Sequence, residues 1–164
     1  MQKITPFLWF TQDAEKAAKF YVSVFKGGKI LKVLRCGEAG PGRPGTVMTV
    51  KFRILGQEFT ALNGGPVFKF TPAISFVVHC STQREVDYYW RKLTAGGKAV
   101  RCGWLEDRFG VSWQIVPDAL IDLLGCKDSA KAARVTQAMM KMIKLDISKL
   151  QAAAHAPRAR ATRR

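Results

Sequence analysis

Gly27-Gly28-Lys29 follows an apolar helical pattern and precedes a strand pattern, and the same tripeptide recurs in the same setting as Gly96-Gly97-Lys98. Around each copy the order is an apolar strand, a capped helix, Gly-Gly-Lys, a strand and a hairpin. The repeat predicts an α+β fold of two βαβββ modules that form a curved sheet around a cavity, with a C-terminal helical extension. Each module alone leaves its sheet half-buried, so two modules are needed to bury it.

The repeat also sets the expected organisation of the chain. We predict a first module over residues 1–66 and a second module of the same domain over 67–117. C-terminal helices follow over 118–154, and a disordered basic tail over 155–164. The tail carries four arginines and few large apolar residues, a composition typical of a segment that lacks a packed core.

In the first module, the apolar run 4–10 predicts a strand, and Pro6 near its start suits a sheet edge. Thr11 or Asp13 can cap the helix that follows. This helix has an apolar face with members spaced three and four residues apart. They are Ala14, Ala17, Ala18, Tyr21, Val22 and Phe25. Further strands are predicted over 29–35, 46–55 and 58–63, with a loop over 36–45 and a turn at 56–57.

In the second module, a strand is predicted over 73–79, and Thr82 with Glu85 forms a capping-box pattern. The helical face that follows consists of Val86, Tyr89, Trp90 and Leu93. Strands are predicted over 98–102 and 111–116, around a turn at 107–110. Beyond them, helices are predicted over 118–124, 129–144 and 147–154. The second of these has a stripe of Ala132, Val135, Met139, Met142 and Ile143, which packs on the domain or on a second subunit.

Composition narrows the class of protein. Hydrophobic residues make up 48% of the 164 residues and charged residues 24%, as expected for a chain with a folded core. No apolar run approaches the roughly 18 residues that a membrane span needs. The N-terminus lacks the pattern of a secretory signal, so we expect a cytoplasmic protein without membrane association.

Charge and cysteines narrow the class further. The formal net charge of +15 attracts anionic partners, and the basic tail favours weak nucleic-acid binding, although spread charge is also typical of a solvated surface. The four cysteines are far apart and form no C-x-x-C pair, so we expect reduced thiols.

Several segments are specific enough to suggest a family: residues 4–10 with Phe20-Tyr21, and residues 61–65, 78–80, 102–104 and 107–114. Together they resemble the vicinal oxygen chelate superfamily, which has the glyoxalase, bleomycin-resistance and dioxygenase fold. Within it they resemble the PhnB-like branch, often labelled 3-demethylubiquinone-9 3-methyltransferase domain. The resemblance spans about residues 2–145, and it implies a small-molecule ligand held between the modules and a homodimer.

The resemblance also implies positions at which metal ligands would be expected. Many members hold a divalent ion with a His in the first strand and a Glu in the last strand of each module. Here the His positions fall near Pro6 and Ala73. The Glu positions fall on Gln114 and on Asn63 or Ala61. Pro and Ala have no ligating side chain, and neutral amides are weak ligands. We therefore predict no cofactor, with a divalent metal as the alternative.

The methyltransferase label has little support from motifs. Gly40, Gly42 and Gly45 form a literal G-x-G-x-x-G, but prolines interrupt it and a strand pattern follows it instead of a helix. We interpret the segment as a loop rather than as a cofactor-binding turn.

Candidate site residues follow from strand alternation and side-chain chemistry. His79 is the candidate general acid or base, and support of the local turn is its alternative role. The predicted ligand pocket consists of Asn63, Trp104, Gln114, Cys102, Ser75 and Phe70. Trp9 is a further candidate aromatic wall, for which core packing is the alternative.

Four hypotheses remain open from the sequence. The leading one is a glyoxalase-like protein that binds a small molecule, as an enzyme or as a binder, without a strongly held metal. The alternatives are a metal-dependent lyase, isomerase or dioxygenase of the same superfamily, a 3-demethylubiquinone methyltransferase, and a non-enzymatic binder of nucleic acid or anionic surfaces. The sequence leaves the substrate, catalysis and the mode of dimerisation open.

Overall fold

The computed structural model describes residues 3–156, and the chain divides into two compact units between Thr71 and Pro72. The predicted tail lies outside the described residues from residue 157 onward. The first unit contains β1 (Phe7–Phe10), α1 (Ala14–Val24), β2 (Lys29–Arg35), β3 (Val47–Ile54) and β4 (Gln57–Asn63). Its four strands form a sheet in the order β1-β4-β3-β2, so β1 lies at an edge, as Pro6 predicts.

The second unit repeats this architecture. It contains β5 (Phe76–Cys80), α2 (Gln83–Thr94), β6 (Lys98–Ala99), β7 (Trp104–Glu106) and β8 (Ser112–Pro117). The sheet order is β5-β8-β7-β6, which matches the first sheet position for position. In both sheets the first strand pairs in parallel with the last, and the other pairs are antiparallel. The predicted α+β fold of two βαβββ modules is confirmed.

The C-terminal extension belongs to the second unit. It consists of α3 (Asp118–Leu124), α4 (Ser129–Met140) and α5 (Ile147–His155). The three helices pack around one cluster of buried apolar residues, with methionines at its margin. Its buried members are Val116, Leu120, Val135, Leu145, Leu150 and Ala154. The methionine-containing stripe therefore packs on its own domain. No helix within residues 3–156 is long and apolar enough to cross a membrane.

Helix α1 buries the face that its spacing predicts, with one exception. Ala14, Ala17, Ala18 and Tyr21 are at most 1% exposed, whereas the fifth buried helical position is Val24 instead of the predicted Val22. The helix ends there, and Phe25 donates its N–H to the Tyr21 carbonyl. The chain then turns through Gly27, whose φ of +78° favours glycine. Phe25 itself is 1% exposed, as its place on the predicted apolar face requires.

Two predicted elements end earlier than expected, for one shared reason. Helix α4 ends at Met140 instead of 144, and strand β6 ends at Ala99 instead of 102. The Met142 and Ile143 carbonyls accept hydrogen bonds from the N–H groups of Cys102 and Gly103, each at 2.8 Å. This long-range pairing replaces the local hydrogen bonds that would have continued the helix and the strand.

Two local predictions hold in detail. Helix α2 begins with the capping box, in which the Thr82 hydroxyl accepts from the Glu85 N–H while the Glu85 carboxylate accepts from the Thr82 N–H. The β3–β4 hairpin turns at Leu55-Gly56, with φ of 46° and 81°, one residue before the predicted 56–57. A turn with two positive φ angles matches the twist of a hairpin.

Asp107 organises the predicted turn before β8. It is 2% exposed. One carboxylate oxygen accepts from the N–H groups of Phe109 and Val111, and the other accepts from Trp113 Nε1 at 2.9 Å. A buried carboxylate with three donors is stable because each donor compensates for lost hydration. The residue is a structural one, as its turn position predicts.

Replacing Asp107→Ala leaves these donors buried without an acceptor. We expect the free energy of unfolding to fall by about 3 kcal/mol, since hydrogen bonds to a buried charge contribute about 1.5–3 kcal/mol each but are not additive. Urea denaturation followed by circular dichroism measures the change. The adjacent Glu106→Ala is the matched control, because Glu106 forms only an exposed 3.5 Å ion pair with Lys98. A loss as large in this control would contradict the assignment.

Candidate ligand site

The second sheet has one face against a helix and one open face. Trp113 and Ile115 of β8 are at most 3% exposed, and α2 packs against β8. Side chains alternate along a strand, so Gln114 lies on the opposite face, beside Val77 of β5 and Trp104 of β7 in the strand register. This open face, defined by Ser75, Val77, Trp104 and Gln114, holds three of the predicted pocket residues.

Gln114 is held in one orientation on this open face. Its Nε2 donates to Ser75 Oγ at 2.8 Å. In this arrangement Nε2 faces Ser75, and Oε1 is the amide atom placed to accept from a ligand donor. Ser75 therefore positions Gln114. Ser75 lies just before β5, two residues after the predicted Ala73.

His79 lies at the carboxyl end of β5, next to Val116 of β8. Its Nδ1 is 3.8 Å from Asp118 Oδ1, which is too long for a hydrogen bond, and its side chain is 64% exposed. Ser81 donates to the other Asp118 oxygen at 2.9 Å. Asp118 was missed from the sequence. It follows β8 directly, and because β5 and β8 are parallel their carboxyl ends meet at one edge.

Asn63 joins three parts of the first unit. Its Oδ1 accepts from the N–H of Ala14, and its Nδ2 donates to the carbonyl of Val47, both at 2.9 Å. The first of these bonds supplies the cap of α1, since Asp13 makes no side-chain cap bond. Both polar groups of Asn63 are thus committed to the scaffold. The cap comes from a residue too distant in sequence for any capping rule to find.

The strand register identifies the residues of the first unit that correspond to Ser75 and Gln114. In the first unit, Phe7 of β1 pairs with Thr60 of β4. In the second unit, the equivalent pair is Val77 of β5 with Gln114 of β8. Thr60 is therefore the counterpart of Gln114, and Thr5, two residues before Phe7, corresponds to Ser75. The predicted alternative Ala61 is completely buried on the side of α1.

These positions do not fit the metal site that the fold family implies. Thr5, Thr60, Ser75 and Gln114 are all neutral and include no imidazole or carboxylate. Within residues 3–156, no three His, Cys, Asp or Glu side chains are grouped as a metal would require. Hydroxyl and amide oxygens alone bind divalent ions weakly.

The first unit contains a cavity of about 470 Å³ at the end of its sheet. Trp9 forms one wall, and its Nε1 donates to the Gly65 carbonyl at 2.9 Å. The ring of Phe68 meets the indole edge to face at 5.0 Å. A Cβ on Gly64 would lie 2.2 Å from Trp9 Cε2, so only glycine at position 64 allows the indole to lie there.

The loop between β2 and β3 closes another side of the cavity. Its two ends are joined by backbone bonds between Cys36 and Thr46 and between Gly45 and Cys36, both at 2.9 Å. The 8% exposed Cys36 and the more exposed Pro41 of this loop line the cavity. Cys36 was interpreted only as an inert thiol, because sequence does not show which loop folds over the sheet end.

The remaining predicted pocket residues lie elsewhere. Phe70 packs against Phe10, with ring centroids 5.0 Å apart. Cys102 lies beside α4, with Sγ 3.7 Å from Met140 Sδ. The structure thus groups Ser75, Trp104 and Gln114 on one face, with His79 at its end. Asn63 lines the cavity of the first unit.

The four thiols differ in environment. Burial raises the pKa of the Cys80 thiol to about 12, and the carboxylates of Glu85 and Asp118 add to this shift. Cys80 therefore remains protonated at neutral pH and is a poor nucleophile. Cys102 and Cys126 are partly exposed.

This difference predicts selective labelling by a disulfide reagent at pH 8. We expect Cys102 and Cys126 to react at least about ten-fold faster than Cys80, because reaction needs an accessible thiolate. Mass spectrometry of peptides after timed quenching identifies the labelled sites, and denatured protein provides the fully reactive control. Equal rates in the folded protein would contradict the assignment.

Comparison with known proteins places the chain. The family described as 3-demethylubiquinone-9 3-methyltransferase matches residues 2–116. This match ends short of residue 145, the predicted limit of the resemblance, so the helical extension lies outside it. Comparison with curated proteins found no match.

Solved structures give the same placement. The chain is 40% identical to a PhnB protein from Bacillus cereus that carries the same methyltransferase label. The alignment covers 71% of this chain and 99% of that one, with a TM-score of 0.65. Protein PA1353 from Pseudomonas aeruginosa shares the fold at 20% identity and a TM-score of 0.60, over 71% of this chain and 98% of that one. A weaker likeness, at 15% identity and a TM-score of 0.46, is to the fosfomycin resistance protein FosX from Listeria monocytogenes, over 70% and 90% of the two chains. The chain belongs to the 3-demethylubiquinone-9 3-methyltransferase family, in the PhnB-like branch of the vicinal oxygen chelate superfamily.

Proposed function

We propose that this protein binds a small organic molecule. Neutral side chains of the protein make the contacts, and no strongly held metal takes part. The cavity beside Trp9 carries the proposal. Its volume of about 470 Å³ lies in the range of ligand pockets, and its lining is mostly apolar with a few polar groups. The indole is held by Gly65 and Phe68, so the wall is organised before a ligand arrives.

The open face of the second sheet is a separate candidate contact surface, within the second unit. Gln114 Oε1 accepts a hydrogen bond from a ligand, and Trp104 offers an adjacent aromatic surface. His79 is the group that would add proton transfer, because its imidazole is exposed and can both accept and donate a proton. His79 is therefore the residue on which catalysis at this face would depend.

The alternatives have weaker support. A metal-dependent reaction lacks ligands at the four register positions named above. For methyl transfer, the segment with Gly40, Gly42 and Gly45 lies between the antiparallel strands β2 and β3, where no helix N-terminus follows to hold a cofactor. Nucleic-acid binding rests on the net charge of +15, which sets long-range attraction without a defined site.

A second copy of the chain is the proposed protein partner. Phe7 is 60% exposed and Val77 is 44% exposed on the open strand faces, and large apolar residues at such positions favour an interface. Light scattering across a concentration series measures the assembly, and a constant monomer mass would contradict it.

A cytoplasmic location stays a prediction of the sequence.

A thermal-shift screen of metabolites tests ligand binding. At a ligand concentration of about 100 Kd we expect the Tm to rise by about 5–10 °C, since such binding stabilises the folded state by about 2.7 kcal/mol. For a compound that binds at the open face of the second sheet, Gln114→Ala should weaken binding about five-fold through the lost hydrogen bond. The exposed Gln137→Ala on α4 is the matched control. No stabilisation by any compound would contradict the proposal.

Metal dependence is tested on the same ligand. Treatment with a chelator should leave the Kd of the hit unchanged within about two-fold, because the lining residues are weak metal ligands. Elemental analysis of the untreated protein should show metal well below one equivalent per chain. A stoichiometric ion whose removal abolishes binding would instead support the metal-dependent alternative.

A further inference from the structure

The cavity of the first unit has an unusual electrostatic character for this chain. The formal net charge is +15, and lysines and arginines are spread along the whole sequence. Nevertheless, no charged side chain lines the cavity among residues 3–156. Its polar side chains are the amides of Gln12 and Asn63, the hydroxyl of Thr46 and the thiol of Cys36.

We infer that this cavity selects a neutral, planar organic ligand, such as an aromatic alcohol, over the corresponding carboxylate or ammonium compound. The inference rests on the proposed function, and it adds the chemical class of the ligand. It follows from three properties of the cavity: its missing countercharge, its aromatic wall and the position of its available hydrogen-bonding groups.

The missing countercharge disfavours an ion. A carboxylate that enters the cavity loses hydration and meets no cation among the lining residues, and such desolvation is costly when no partner compensates. Arg35, which is outside the lining, donates from Nη1 to the Gly45 carbonyl at 3.0 Å. The net positive charge therefore attracts anions to the surface, while the cavity itself favours a neutral molecule.

The wall favours a planar molecule. Trp9 presents an indole that is held by a hydrogen bond at one end and by the Phe68 ring. Aliphatic contacts come from Met48 and Leu62. A flat ring gains offset-stacking or edge contacts against such a surface. Gly64 makes this arrangement possible, because a side chain at that position would displace the indole.

The hydrogen-bonding groups define the orientation of the ligand. The amide oxygen and nitrogen of Asn63 and the Nε1–H of Trp9 already bond within the scaffold. Thr46 Oγ1 donates to the Arg43 carbonyl at 2.6 Å, which leaves its lone pairs as acceptors. Thr46 and Gln12 are exposed, so they lie at the opening of the cavity. The apolar ring then lies inward, and its hydroxyl group lies against Thr46 and Gln12, where it gains hydrogen bonds while a charged group in its place would lose part of its hydration without a countercharge.

Three naphthalene probes of equal size test the inference on the full chain. They are 2-naphthalenemethanol, 2-naphthoate and 2-naphthylmethylammonium, titrated at neutral pH and followed by isothermal calorimetry. We expect the alcohol to bind at least about ten-fold more tightly than either ion, because an uncompensated charge is expelled. Salt should change the Kd of the alcohol little, since no charge pair is formed.

Two variants assign the binding to this cavity. Gly64→Ala should weaken binding of the alcohol about ten-fold or more, because its Cβ would overlap the Trp9 ring. Gly37→Ala in the adjacent loop is the matched control, since its Cβ meets nothing within 4 Å and should leave binding unchanged. Circular dichroism confirms that both fold. As a second variant, Leu62→Arg places a cation in the wall and should reverse the preference toward 2-naphthoate.

The outcomes separate this inference from the proposed function. Tighter binding of 2-naphthoate to the unmodified protein, or alcohol binding that survives Gly64→Ala in a folded variant, overturns the neutral-ligand inference while ligand binding itself stands. Failure of all three probes also overturns the inference. The proposed function fails only if, in addition, the metabolite screen finds no stabilising compound.

Discussion

In each unit the first strand pairs in parallel with the last strand, and the geometry of both sites depends on this pairing. Parallel neighbours require a crossover, which α1 and α2 provide. The pairing places the end of β4 beside the start of α1, where Asn63 caps the helix. It likewise places the end of β8 beside the end of β5, where Asp118 lies near His79.

The same pairing determines which side chains lie at the positions that the resemblance assigns to metal ligands. The register places one residue from the first strand and one from the last strand side by side on each open face. In the second unit these residues are Val77 and Gln114, and Ser75, just before β5, accepts a hydrogen bond from Gln114. Gln114 stands where the resemblance implies a Glu ligand, and its amide bonds to a neighbouring hydroxyl instead of presenting a carboxylate.

The helical extension is an addition to the family architecture. The family match ends at residue 116, and the Bacillus cereus relative is covered almost completely by 71% of this chain. The extension has its own buried cluster around Val135 and Leu150. It is tied to the second module through the Cys102-Gly103 turn and through Gln83, which accepts from the Ile147 N–H at 2.8 Å. These contacts explain why the extension is continuous with the second unit.

The sequence alone determined the repeated βαβββ order, most strand positions, the capping box of α2 and the neutral residue at Gln114, because these depend on local spacing and residue type. It also identified Asp107 as a turn residue. Only the tertiary structure decided the roles of Asn63 and Cys36 and the early ends of α4 and β6. Each of those depends on a contact between residues far apart in the chain, and local patterns carry no information about such contacts.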